Sequence, residues 1–328
     1  MNKPKISVVI PVYNTGALLN RTLASVTQQT LADLEIICVD DCSTDDSLAI
    51  LKQWAQKDSR VQVVALPKNG GVSRARNTGF DISTAPYVYY LDSDDWIDDT
   101  YLDAMYRKAV ETGQDVVVNA NYVQEFEDKA KNAPSGNFGF INGDGFYSAP
   151  QVQTFFPPVI WARLYRREYL SRIGNYFPEV KGGAEDIFYA GLAELLQPRS
   201  YVFRGPFHHY WQREGSLFHQ KANGYYYLQS FKLLYDELLH RGVDTEEIRL
   251  FYAGPMLIDT AGKFDFIRAF LVEVAPQVRR HTALYAALDL FLLDAVTTSS
   301  DYADYLSKYN PNITLAFVRS RMQASRRP

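Results

Sequence analysis

Short apolar runs alternate with helix-spaced segments through the first third of this 328-residue chain. Four runs have the length of a buried strand, at residues 6–10, 34–39, 61–66 and 88–91. Between them apolar residues recur at helical spacing, as at Leu19, Leu23 and Val26. Such alternation predicts parallel βαβ units with helices on both faces of the sheet. We therefore expect an α/β fold.

Polar residues follow each of these predicted strands. The four segments concerned are residues 11–14, 40–43, 68–71 and 92–95. In open α/β sheets, ligands bind in the crevice outside the carboxyl ends of the strands. The sequence therefore predicts that the four segments face one binding crevice.

Composition excludes some classes of protein. Hydrophobic residues make up 47% of the chain and charged residues 22%, which allows a large core and is far from a disordered composition. A net charge of -4 gives no overall basic footprint, so we expect no nucleic-acid partner. The two cysteines, Cys38 and Cys42, suit a reducing compartment, and we expect a cytoplasmic location.

Membrane signals are weak throughout the sequence. The apolar stretch at residues 6–10 is too short for a secretory signal, and residues 284–296 fall below the roughly 18 residues of a spanning helix. We therefore expect neither a signal peptide nor a transmembrane helix. The arginines at residues 319–327 would at most contact the inner face of an anionic membrane, and a solvated, frayed terminus is the alternative.

An acidic cluster, residues 91–95 (LDSDD), ends the last of the four runs. The carboxylates of Asp92 and Asp94 can direct oxygens to a divalent cation such as Mg²⁺ or Mn²⁺ that keeps open positions for phosphates. The alternative is a solvated acidic turn that caps the next helix, with Asp95, Asp98 or Asp99 near its N-terminus. The residues alone leave both interpretations open.

The glycine-bearing segment at residues 68–79 (KNGGVSRARNTG) favours an anionic ligand. Paired glycines let the backbone approach a ligand, and Arg74 or Arg76 can pair with phosphate. A glycine turn before an amphipathic helix with solvent-facing arginines is the alternative. The chain has neither GxxxxGK[ST] nor GxGxxG, which argues against nucleoside triphosphatases and dinucleotide-binding enzymes.

The order of these motifs resembles the family 2 glycosyltransferases, the inverting sugar transferases with the GT-A fold. The matching segments are residues 7–14 (SVVIPVYN), 39–45 (VDDCSTD), 69–77 (NGGVSRARN) and 91–95 (LDSDD). Less specific matches at residues 161–165 and 185–186 extend the resemblance to residue 215. It implies a Rossmann-like, mixed but mainly parallel sheet flanked by helices.

The resemblance also implies a division of the chain. Residues 1–220 would form the glycosyltransferase domain, with the nucleotide-sugar part at 1–120 and the acceptor and catalytic part at 121–220. Residues 221–328 have a helical rhythm and are predicted to form a helical C-terminal extension, which would support a homodimer.

A donor site follows from the same resemblance. Asp41 would hydrogen-bond the uracil edge of a UDP-sugar, Pro11 and Tyr13 would line the base pocket, and Asp92 would lie by the ribose and the metal. Cys42 stands where the family usually has glycine, and it adds a small side chain near the pocket. The full predicted set of nucleotide contacts in the first 95 residues is Pro11, Tyr13, Asp41, Asn69, Gly70, Arg76, Asp92 and Ser93.

Metal and phosphate contacts are implied at two places. Asp94 would be the direct ligand of Mn²⁺ or Mg²⁺, with Asp92 beside it. The segment at residues 208–217 resembles one that family members fold over the diphosphate, so Arg213 could neutralise phosphate charge and His209 could approach the metal. For His209 a purely structural role is the favoured alternative.

The resemblance places the catalytic base at Asp186, where it would take a proton from the acceptor hydroxyl, with Glu185 as the second candidate. The alternative is a helix N-terminus stabilised by two acids, and both can hold together. The implied enzyme is a metal-dependent inverting hexosyl- or N-acetylhexosaminyltransferase.

We expect it to use a UDP-sugar and a glycan or lipid-linked oligosaccharide acceptor in bacterial surface polysaccharide or lipooligosaccharide synthesis. Two other functions stay open: a non-catalytic sugar-nucleotide-binding or scaffold protein, and a metal-dependent phosphohydrolase with Asp92 as nucleophile and Asp94 as acid/base.

Overall fold

The predicted alternation of strands and helices is confirmed in a computed structural model. The model describes residues 3–134, 143–147, 152, 159–180, 184–197 and 199–212, together with 230, 233–234, 236–238 and 240–243. The first elements are β1 (Ile6–Val12), α1 (Gly16–Thr27), β2 (Leu34–Asp40), α2 (Ser47–Lys57), β3 (Val61–Ala65), α3 (Val72–Ile82), β4 (Tyr87–Tyr90), β5 (Trp96–Ile97), α4 (Tyr101–Thr112) and β6 (Val116–Asn119).

The later elements are shorter. They are β7 (Tyr122–Glu125), a 3-10 turn (Lys129–Lys131), β8 (Ala133–Pro134), β9 (Gly145–Tyr147), a second 3-10 turn (Ile160–Ala162), β10 (Arg163–Arg166), α5 (Arg167–Ile173), α6 (Glu185–Leu195), β11 (Ser200–Phe203) and β12 (His208–Trp211). Strands β7 and β8 pair antiparallel, a pairing that the sequence did not predict.

A mixed sheet forms the centre of the described part of the chain. Its strand order is β3-β2-β1-β4-β10-β6-β11-β9. Strands β3, β2, β1 and β4 pair in parallel, as do β6 and β11, whereas β10 runs antiparallel between β4 and β6. The mainly parallel α/β fold is therefore confirmed, with β10 as an antiparallel insertion.

Burial explains why the first strands are so uniformly apolar. All residues of β1 and β2 are buried, because helices cover both faces of the sheet. On one face Leu19, Leu23 and Val26 of α1 pack into the core, as their spacing predicted. On the other face an aromatic layer that includes Tyr90 and Phe177 packs behind β4 and β10.

A small second sheet, in the order β5-β12-β7-β8, lies next to the acidic cluster in sequence. Strand β5 begins at Trp96, directly after Asp95, and pairs antiparallel with β12. Strand β12 in turn pairs in parallel with β7. The residues that follow β11 are thereby brought back beside the end of β4.

The chain divides into two compact units, Met1–Arg241 and Gly242–Pro328. Apart from Gly242 and Val243, the second unit lies outside the described residues. In the first unit, the described residues between 230 and 240 are helical and Leu234 and Leu238 are buried. The predicted extension over 221–328 stays a prediction. Across the described residues, no helix is both long enough and apolar enough to span a bilayer.

Candidate active site

The four polar strand ends meet, as the sequence predicted. The backbone N–H of Asn14 donates to Ser43 Oγ at 3.1 Å, which joins the ends of β1 and β2. The hydroxyl of Thr15 donates to Ser93 Oγ at 3.0 Å, which joins the end of β1 to the acidic cluster. Asp41 joins the end of β2 to the glycine pair described below. One rim of the sheet therefore gathers all four segments.

Arg76 on α3 is the centre of the charged site. Its Nη2 lies 2.7 Å from Asp92 Oδ1, and its Nη1 lies 2.6 Å from Glu185 Oε1 and 3.0 Å from Asp186 Oδ1. The guanidinium is buried and packs over the ring of Phe177. The guanidinium of Arg76 thus connects the acidic cluster after β4 with the two acids that begin α6.

Charge in this cluster is unbalanced, because three carboxylates share one guanidinium. Burial raises the pKa of Asp186 to about 8, and the neighbouring carboxylates of Glu185 and Asp92 add to the rise while Arg76 opposes it. The carboxylates raise the pKa of Arg76, although burial acts against them. Asp186 is therefore poised to hold or release a proton near neutral pH, and added positive charge would favour its ionised form.

Exposure separates the roles of the two acids. The side chain of Glu185 is 3% exposed, whereas that of Asp186 is 17% exposed. The second oxygen of Asp186, Oδ2, accepts a hydrogen bond from the backbone N–H of Ile160 at 3.4 Å. Asp186 is therefore the more accessible of the two acids, and Glu185 pairs with Arg76 away from solvent.

Helix α1 fixes the backbone of the acidic cluster. The hydroxyl of Thr22 lies 2.9 Å from the carbonyl oxygen of Ser93 and 2.7 Å from that of Asp95. Arg21 Nη2 donates to the carbonyl oxygen of Asp94 at 3.1 Å. Sequence reasoning missed these two residues, although a hydroxyl at Thr22, within the apolar face of a predicted helix, was a detectable signal.

Asp95 anchors strand β12, whereas Asp98 and Asp99, the other residues of the helix-capping alternative, lie just before α4. Oδ1 of Asp95 accepts from the backbone N–H of Trp211 at 2.8 Å, and its Oδ2 lies 2.9 Å from Nε2 of His208. Burial lowers the pKa of His208 to about 3, which keeps the imidazole neutral. Nε2–H then donates to Asp95, and Nδ1 accepts from the hydroxyl of Tyr89 at 3.1 Å.

The predicted metal set of Asp92, Asp94 and His209 is not assembled. His209 Nδ1 lies 2.9 Å from Glu125 Oε1 and its Nε2 lies 3.1 Å from an oxygen of Asp98, so both ring nitrogens already face carboxylates. Within the described ranges, no group of three or more His, Cys, Asp and Glu side chains is arranged to hold a metal ion. His209 therefore pairs with two carboxylates in the structure, and its approach to a metal stays a prediction.

Two carboxylates at the rim still fit a divalent cation. Asp92 uses one oxygen, Oδ1, for Arg76 and keeps the other, and Asp94 sits two residues further along the same turn. Mg²⁺ is commonly held by one or two carboxylates together with substrate phosphates. The unbalanced negative charge at Asp92, Glu185 and Asp186 would also be relieved by a cation.

The nucleotide side of the site is built around Asp41. Its Oδ1 accepts from the backbone N–H of Gly70 at 2.8 Å and its Oδ2 from that of Gly71 at 2.7 Å. Asp41 is buried, and its two carboxylate oxygens stabilise the glycine turn. Its contact with uracil stays a prediction. Gly71 has a φ of 85°, a conformation that favours glycine.

The remaining predicted nucleotide contacts differ in accessibility. Tyr13 is 47% exposed and Asn69 is also exposed, whereas Pro11 and Ser93 are buried. Exposed rings at a strand end are available for stacking on a base. Arg213 lies outside the described residues.

Comparisons with known proteins identify the family of this chain. The model of glycosyl transferase family 2 matches residues 7–174. Glycosyltransferase GlyA of Streptococcus pneumoniae serotype 4 is 32% identical over 228 residues, which are 65% of this chain and 31% of that protein. Poly(ribitol-phosphate) beta-N-acetylglucosaminyltransferase TarP of Staphylococcus aureus is 33% identical over 169 residues, or 48% of this chain and 50% of that one.

A solved structure supports the fold. S. aureus TarS 1-349 in complex with UDP-GlcNAc superposes with a TM-score of 0.70 at 21% identity, covering 90% of this chain and 91% of that one. The chain spans only about a third to a half of the length of the two curated relatives above.

Proposed function

This chain belongs to glycosyl transferase family 2, and from that premise we propose that it is a metal-dependent inverting glycosyltransferase. It transfers one sugar from a UDP-sugar to a carbohydrate acceptor. The observation that carries the proposal is the bridge made by Arg76, which holds Asp92 and Asp186 at one site. A leaving-group site and a candidate base therefore lie on either side of one guanidinium.

Asp186 would act as the general base. Its carboxylate takes the proton of an acceptor hydroxyl, the oxygen of that hydroxyl attacks the anomeric carbon, and the bond from that carbon to the diphosphate oxygen breaks. The electron pair leaves with UDP. The 17% exposure of Asp186 and its hydrogen bond from Ile160 support this assignment over Glu185. Direct displacement inverts the configuration of the sugar.

Asp92 and Asp94 would hold the divalent cation, which supplies charge stabilisation to the departing diphosphate when bound. The backbone of the cluster is fixed by Thr22 and Arg21, so the two carboxylates need little reorganisation to bind. Arg76 would hold Asp92 and Asp186 in place while the negative charge of the leaving group develops.

The nucleotide would bind beside Tyr13, Asn69 and the Asp41 turn. The complex of TarS with UDP-GlcNAc supports a uridine donor for this chain. The activity named for TarP, transfer of a sugar to poly(ribitol-phosphate), supports an acceptor among bacterial surface glycans. On this proposal the chain acts in the cytoplasm or at the inner face of the membrane. Neither the phosphohydrolase nor the scaffold alternative gains support from these comparisons.

A direct test combines binding and turnover. The purified chain should bind UDP in calorimetry, more tightly with Mn²⁺ than with EDTA, and should release UDP from at least one UDP-sugar when short oligosaccharides or ribitol-phosphate oligomers are added. Asp94→Asn should weaken Mn²⁺-dependent UDP binding, while Asp103→Asn, a partly exposed position on α4, serves as the control. Absence of UDP binding together with absence of turnover of every UDP-sugar would contradict the proposal.

A further inference from the structure

A buried ion pair lies behind the proposed base. Arg163 on β10 and Glu194 on α6 are both fully buried, and Nε of the arginine lies 2.6 Å from Oε1 of the glutamate. Burial raises the pKa of Glu194, and Arg163 opposes the rise. Apolar side chains of similar volume often replace such pairs at no cost in stability. The need to fill the core therefore does not explain why two charged side chains lie here.

One peptide unit connects the pair to Asp186. Nη1 of Arg163 donates to the carbonyl oxygen of Val159 at 2.6 Å. The same planar peptide carries the N–H of Ile160, which donates to Asp186 Oδ2. In a trans peptide the C=O and the N–H point in opposite directions, so fixing the oxygen also fixes the direction of the N–H.

The second half of the pair acts through the helix. Glu194 lies eight residues after Asp186 on α6, which is about two helical turns or ~12 Å. Its bond to Arg163 holds α6, which carries Asp186, against β10. On β10, the same arginine binds the carbonyl oxygen of Val159. The Arg163 guanidinium therefore acts on both sides of the hydrogen bond from Ile160 to Asp186. It binds the peptide that donates the hydrogen bond, and it binds the helix that carries the acceptor.

Resting on the proposed function, we propose that Arg163 and Glu194 are positioning residues for Asp186. Together they orient the peptide between Val159 and Ile160 so that its N–H faces the Asp186 carboxylate. This contact favours the ionised carboxylate that accepts the proton. Arg163 acts through the peptide and touches no reacting atom.

Other charged groups lie near Asp186 and also influence its pKa. They are Arg76, Glu185 and Asp92, all joined in the ion-pair cluster, and Arg163 itself, whose charge interacts with Asp186. Loss of the oriented N–H disfavours the ionised form of Asp186, and the opposite charges of Arg163 and Glu194 largely cancel when both side chains are replaced. The midpoint of its titration should therefore rise.

The test uses the double variant Arg163→Met, Glu194→Leu, which replaces the pair by apolar side chains. We expect UDP affinity and the KM for the donor to change by less than about 2-fold, and kcat to fall about 10- to 100-fold. Arg163→Lys, which keeps a charge near Glu194, should recover part of kcat. The control is Arg166→Met on the same strand, whose ion pair with Asp115 is partly exposed.

A second measurement does not depend on turnover. The ¹³C resonance of the Asp186 carboxyl, assigned by its loss in Asp186→Asn, should titrate at higher pH in the double variant and in Arg163→Gln than in the parent chain. If the double variant does not fold, Arg163→Gln carries the test. Parental kcat together with a parental Asp186 titration overturns the positioning role. An unchanged titration midpoint overturns it even if the chain transfers no sugar.

Discussion

At the scale of single residues, Arg76 shows both the reach and the limit of sequence reasoning. Its position on a helix that follows two glycines predicted a cation in the site, but not its partners. The structure pairs it with Asp92, Glu185 and Asp186, and two of these lie more than 100 residues away in the chain. Such contacts depend on tertiary packing, which local spacing does not encode.

The thiol of Cys42 can serve as a chemical probe of the proposed nucleotide pocket. It is exposed, adjoins Asp41 and has a φ of 61°, which places it at the turn where the base is expected. The other cysteine, Cys38, is buried, and burial raises the pKa of its thiol to about 12. A maleimide should therefore modify Cys42 alone.

Saturating UDP should slow that modification by about 10-fold, because the bound base shields the thiol. The rate is followed by mass spectrometry, and Cys42→Ser should take up no label. An unchanged rate at a UDP concentration that calorimetry shows to be saturating would place the nucleotide elsewhere.

At the scale of elements, helix α1 and strand β12 hold the acidic cluster from two sides. The helix binds its carbonyl oxygens through Thr22 and Arg21, and the strand binds the carboxylate of Asp95. The helix was predictable from its apolar periodicity. The strand was not, because its partner β5 has only two residues and the two strands belong to a small sheet distinct from the main one.

Thr22→Val tests the contribution of the helix. The valine has the same shape but leaves two carbonyl oxygens, those of Ser93 and Asp95, without this donor. We expect a loss of about 1–3 kcal/mol in the free energy of unfolding, measured by urea titration, and weaker UDP binding.

Thr27→Val on the same helix is the matched control. The hydroxyl of Thr27 donates only to carbonyl oxygens within its own helix, those of Leu23 and Ala24. Its replacement should cost less than about 0.5 kcal/mol. Equal stability of the two variants would show that the acidic cluster does not need Thr22.

At the scale of the whole molecule, the parallel half of the sheet and the meeting of its four strand ends were predictable, since strand length, helix periodicity and polar strand ends are local features. The insertion of β10 between β4 and β6 was not predictable from such features. That insertion places Arg163 and the Val159 peptide behind Asp186, so the support of the proposed base depends on long-range topology.

The pH dependence of transfer tests the proposed base most directly. Burial raises the pKa of Asp186 to about 8 and only its ionised form accepts a proton, so kcat/KM should rise about 10-fold per pH unit below 8 and level off above. A bound divalent cation favours the ionised carboxylate, so the rise in kcat should lie at lower pH than the rise in kcat/KM.

The decisive measurement is this kcat/KM profile between pH 6 and 9.5 for the parent chain and Asp186→Asn, with Glu185→Gln alongside. We predict a rise centred near pH 8 for the parent chain. Asp186→Asn should lose transfer by at least about 100-fold and still bind UDP. A flat parental profile, or transfer by Asp186→Asn at the parental rate, would contradict the assignment of Asp186 as the base.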